Sequence, residues 1–95
     1  MKTGQLVYVC HDGKIGRRIE GTVVSVKPYK IQVTFTHRSG HGPDYKTITA
    51  WFKRESTNYG TRGKKAYYSG WVDIDWHMPW FRVYDKKVID NYYKE

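Results

Sequence analysis

The chain has 95 residues, with 17 Lys and Arg against 9 Asp and Glu, a formal charge of +8, 17% aromatic residues and one cysteine. That length accommodates one domain, spanning 1–95, and a single cysteine excludes an internal disulfide framework and suits a reducing cytoplasm. No apolar run approaches the roughly 18 residues of a membrane span, and the sixteen aromatics supply burial that disordered chains lack.

The opening Met1-Lys2-Thr3-Gly4 leads into a strand-like segment rather than a leader peptide. The dominant period is two, not 3.6. Residues 5–9 read as a first strand and residues 20–26 as a second, rich in β-branched side chains. Residues 30–36 alternate cleanly, with Ile31, Val33 and Phe35 facing a core. Between the last two, Lys27-Pro28-Tyr29-Lys30 suits a type I turn, which sets Val26 opposite Ile31 and Val24 opposite Val33.

A fourth strand over 47–53 turns Ile48, Ala50 and Phe52 inward and Trp51 outward. The Gly, Pro and Ser content of residues 37–46 marks a loop, and the glycine-punctuated, polar stretch 55–70 marks a longer one. Residues 71–76 and 79–84 suit a second hairpin turning near His77-Met78. It pairs Val72 with Val83 and Ile74 with Phe81, and on the other face Trp71 with Tyr84 and Asp73 with Arg82. The chain then enters a short helix capped by Asp85, with Val88, Ile89, Tyr92 and Tyr93 on one side.

The charge is unevenly placed. Residues 1–70 hold thirteen Lys and Arg against four Asp and Glu, a net of +9, whereas residues 71–95 net −1. Charge of one sign confined to part of a small domain attracts polyanions.

Gly4-Gln5-Leu6-Val7-Tyr8-Val9, then Gly13 and Gly16, then Gly21-Thr22-Val23-Val24-Ser25-Val26 resembles the KOW motif. The likeness covers residues 4–36 and implies a mainly β fold, a small SH3-like barrel, here with an extra C-terminal hairpin and a short C-terminal helix. It also implies binding to RNA, DNA or RNA polymerase, as in ribosomal proteins and transcription-elongation factors.

The candidate nucleic-acid surface combines Lys14, Arg17 and Arg18 with Arg38 and Lys46, then Trp51, Lys53 and Arg54, and finally Tyr59, Arg62, Lys64, Lys65, Tyr67 and Tyr68. Cations supply phosphate affinity and aromatic faces stack unpaired bases. The near-neutral C-terminal third offers Trp71, Trp80, Arg82 and Tyr84 as protein-binding anchors. With Trp76 and Asp73 or Asp75, the same aromatics suit a cage for a methylated side chain. His37, His41 and the Cys10-His11 pair are potential zinc ligands, but glycines around them argue against helical ligand spacing. His37, His41 and Arg38 also carry a ribonuclease reading of the barrel-toxin kind.

The expected function is therefore that of a cytoplasmic, non-enzymatic, cofactor-free nucleic-acid-binding module. The alternative is a small adaptor, of a size seen in viral proteins, docking on a machine of transcription or translation. Neither reading involves a membrane.

Overall fold

The computed structural model describes residues 1–38, 45–55, 67–74 and 77–92. Six antiparallel strands close a barrel in sequence order: β1 (Leu6–His11), β2 (Arg18–Lys27), β3 (Lys30–Arg38), β4 (Tyr45–Glu55), β5 (Tyr67–Trp71) and β6 (Trp80–Asp85). A 3₁₀ turn (Ile15–Arg17) links β1 to β2, and β6 runs directly into α1 (Lys86–Tyr92). The barrel closes where β1 pairs with β6, Val9 opposite Val83. Closure gives every strand two neighbours, although among the described residues β4 meets β5 over Lys53, Arg54 and Glu55 alone.

Alternation decides the interior. Val7, Val9, Val23, Ile31, Val33, Phe35, Phe52, Tyr68, Phe81 and Val83 fill it, with Val72 and Ile74 continuing the packing under the last hairpin. Phe81 anchors one end, edge-on to Phe35 at 5.5 Å. The expected inward set on β4 holds: Phe52 is fully buried while Thr47, Thr49, Trp51 and Lys53 face out.

Three expectations are corrected. In the β2–β3 hairpin the turn pairs Val26 with Ile31 as expected, but Val23, not Val24, lies opposite Val33. A register shift between Val23 and Ser25 leaves Val24 extra and exposed. Such a bulge tightens the local twist, which a six-stranded barrel needs in order to close.

Residues 67–70, read as loop, belong to β5. Gly70 there is not turn punctuation: a Cβ on it would fall 3.2 Å from the Trp51 carbonyl oxygen and 3.3 Å from a Phe52 ring carbon. The missing side chain makes room for the β4 backbone and the Phe52 ring.

The second hairpin is consequently displaced. Tyr68 pairs with Val83, Ser69 with Arg82, Gly70 with Phe81 and Trp71 with Trp80. The ladder continues through the Val72 N–H, which donates to the Pro79 carbonyl at 3.0 Å, to a bridge between Ile74 and His77. The reversal thus falls between those two residues rather than at His77-Met78. Because the displacement is an even number of residues, every expected inward side chain stays inward, and only the partners change.

α1 follows the expected cap: Asp85 Oδ1 accepts the Lys87 N–H at 2.9 Å, and Ile89 is buried against the barrel. Tyr93 lies outside the described residues, as does the side chain of Tyr92. No helix among the described residues is long and apolar enough to cross a membrane.

Candidate nucleic-acid interface

The ladders align residues in rows that cross the strands. One row begins on β2 at Arg18 and steps to Cys10, Arg82, Ser69, Lys53 and Lys30, and back to β2 at Lys27. Within it Cys10 and Ser69 are buried, whereas the charged members Arg18, Lys53, Lys30 and Lys27 are exposed. It makes one circuit of the barrel and returns to its starting strand nine residues further along, the stagger that tilted strands impose on a closed sheet. Five of its seven members are cations. None of Lys27, Lys30, Lys53 and Arg82 forms an ion pair among the described residues.

Lys30 lies directly opposite both Lys27 and Lys53. Sheets ordinarily set opposite charges across from one another, and like charges at such positions destabilise. The nearest carboxylate along β4, Glu55, is engaged by the Ser69 hydroxyl, which donates to it at 2.7 Å.

Aromatics flank the cations on both sides. Trp71 pairs with Trp80, and continuing the β4–β5 register by two residues brings Trp51 level with Trp71. On the other side, Tyr67 meets Tyr84 with ring centroids 5.9 Å apart, and Tyr84 pairs with Tyr8. The cations rest on these rings. Lys30 Nζ sits 4.8 Å and Lys27 Nζ 5.2 Å from the Trp51 centroid, and Arg18 Cζ sits 5.3 Å from that of Tyr8. Contacts of this kind at exposed sites are worth roughly 0.5–1 kcal/mol, enough to hold the ammonium groups at the surface but weak enough to yield them to a phosphate.

Arg82 is held most tightly. Its Cζ lies 4.6 Å from the Tyr67 centroid and 5.0 Å from that of Trp80, and its Nε is buried without a hydrogen-bond partner. Gly13, at φ +72°, leaves the necessary space: a Cβ there would come within 3.0 Å of Arg82 Cδ. Of the residues expected to form an aromatic cage, Trp80 is covered by the chain's own guanidinium, and Trp76 and Asp75 lie outside the described residues. Beneath the same loop, burial of Cys10 pushes its thiol up to about 11 against the opposing pull of Arg18. It is therefore protonated at neutral pH.

The remaining expected residues lie elsewhere. Lys14 and Arg17 are exposed around the 3₁₀ turn, Arg17 within 3.5 Å of His11 Nδ1. Arg38 ends β3 opposite Tyr45, and exposed Lys46 lies opposite His37, both away from the cationic row. Arg54 is exposed, its N–H donating to the Tyr29 carbonyl at 2.8 Å. Tyr59, Arg62, Lys64 and Lys65 lie outside the described residues, as does His41. His37 instead stacks on His11 at 6.2 Å, both rings resting on the edge of Phe81. Among the described residues, no three of His, Cys, Asp and Glu gather to hold a metal.

The structure unites what the sequence reading separated. Tyr67 and Lys53, expected on a nucleic-acid face, adjoin Arg82, Trp80 and Tyr84, expected on a protein-binding face. Sequence reasoning missed Lys27, Lys30 and Tyr8. The signal for Lys30 was present, since it precedes inward Ile31 and must point outward, but its neighbour across β4 depends on a register that the intervening loop does not fix. No protein-family model, curated protein or solved structure matches this chain.

Proposed function

We propose that the protein is a non-enzymatic nucleic-acid-binding module, acting in a cytoplasmic setting, and that the cationic row with its flanking aromatics is the binding face. The observation that carries this reading is the unrelieved run Lys27, Lys30, Lys53 across three adjacent strands, beside a half-exposed Trp51. A polyphosphate backbone supplies the missing counter-charge, and bases stack on the rings that the ammonium groups vacate. The likeness of residues 4–36 to the KOW motif points the same way. Titrating labelled single-stranded RNA, single-stranded DNA and duplex DNA at rising salt tests it: affinity falls steeply with salt, whereas failure of all three to bind at low salt ends this reading.

A second reading rests on the tip of the last hairpin, where Trp71 and Met78 are 67% and 56% exposed. These side chains suit docking on a protein such as RNA polymerase or a ribosomal component. Recovery of one partner in a pull-down after nuclease treatment favours it, and loss of that partner with nuclease favours the first.

A further inference from the structure

Resting on the nucleic-acid reading, we infer that the ligand is an unpaired single strand that wraps around the barrel, following the cationic row across β3, β4, β5 and β6. The argument is one of curvature. In a six-stranded closed barrel each step from strand to strand turns the surface by about a sixth of a revolution. Lys30 on β3 and Arg82 on β6 are three steps apart, so they face opposite sides of the barrel while belonging to the same row.

A duplex cannot reach both. Its persistence length is about 150 base pairs, so over the width of this barrel it is a straight rod that touches one tangent. A single strand bends freely and reaches the cations on both sides, passing over β5, where buried Ser69 contributes no charge and exposed Trp71 offers the contact. The rings support the same conclusion. Trp51, Trp71 and Trp80 lie on successive strands beside Lys53 and Arg82, so a backbone passing along the cations places its bases over aromatic faces at each step. Only unpaired bases expose the faces that such rings stack on. RNA and DNA single strands share this chemistry.

The test uses the full chain and labelled single strands of about 4, 8 and 12 nucleotides, as RNA and as DNA, beside a duplex of the longest sequence. Single strands bind at least tenfold tighter than duplex at equal salt, and affinity climbs as length increases from the shortest to the longest. Lys30→Gln and Arg82→Gln each weaken single-strand binding. Trp71→Leu weakens it about fivefold or more, and Trp71→Tyr restores most of the loss. Because Arg82 is packed between rings, thermal unfolding of each variant confirms its fold, and exposed Lys30 and Trp71 carry the test if Arg82→Gln does not fold. Duplex binding as tight as single-strand binding, or loss at only one of Lys30 and Trp71, overturns the wrapping but leaves the nucleic-acid reading standing. Absence of binding to every probe overturns both.

Discussion

Lys30 and Lys53 face each other across the β3–β4 ladder on the outside of the barrel, with Lys27 on the other side of Lys30. The fold tolerates this repulsion rather than benefiting from it, and cross-strand pairs of like charge are disfavoured by some tenths of a kcal/mol.

Lys53→Glu therefore stabilises the protein by about 0.2–1 kcal/mol while weakening nucleic-acid binding. The urea midpoint rises as affinity drops. A variant that loses stability along with affinity would show that Lys53 has a structural role.

Gly70→Ala acts in the opposite direction. The added methyl falls 3.2 Å from the Trp51 carbonyl oxygen, a backbone atom, and 3.3 Å from a carbon of the fully buried Phe52 ring, so both must shift by a few tenths of an ångström to admit it. Overpacking of this kind costs about 1–3 kcal/mol, read as a lower denaturation midpoint. An unchanged midpoint would mean that β4 and β5 approach less closely.

The Cys10 thiol, raised to about 11 by burial, resists alkylation at pH 7.5 in the native protein and reacts promptly in denaturant. Its folded value lies above its ordinary one, so the stability it contributes is complete below about 9 and is lost as pH rises towards 11. Rapid native labelling would contradict this.

Asp90 ties α1 to β1. Its carboxylate accepts the Tyr8 hydroxyl at 2.7 Å and Lys86 Nζ at 2.9 Å, and these contacts hold it below the usual carboxylate range, the Tyr8 hydrogen bond foremost. A lowered value gives stability that is present above the ordinary carboxylate range and is lost as pH falls through the lowered one. Asp90→Asn consequently increases amide exchange in α1 at neutral pH and removes the acid-dependent part of that change. Exchange in α1 identical to the parent's at every pH would refute the tether.

Parity along strands was legible in the sequence, and partners across long connections were not. Ile31, Val33, Phe35, Phe52, Phe81 and Val83 point inward as alternation requires, because a one-residue slip would expose them all. Shifts of two or four residues keep that parity, so hydrophobic pattern alone does not choose among them. The last hairpin moved by such a shift once β5 began at Tyr67. Gly70 was the misleading residue: glycine signals a loop and a close backbone approach alike, and only the position of Phe52 tells them apart. The candidate face was legible in composition, as basic and aromatic residues, but not in arrangement, since the row from Arg18 to Lys27 exists only after six strands are in register.

The most direct test of the central claim compares two double variants with the same loss of charge. Lys30→Gln with Lys53→Gln removes two cations from the row, and Lys2→Gln with Lys87→Gln removes two exposed lysines away from it. Against single-stranded nucleic acid, the row variant lowers the slope of log affinity on log salt by about 1.4, at about 0.7 for each lost contact, and the control leaves it unchanged. Equal changes in the two would mean that bulk charge, not the row, attracts the ligand, and would contradict the account.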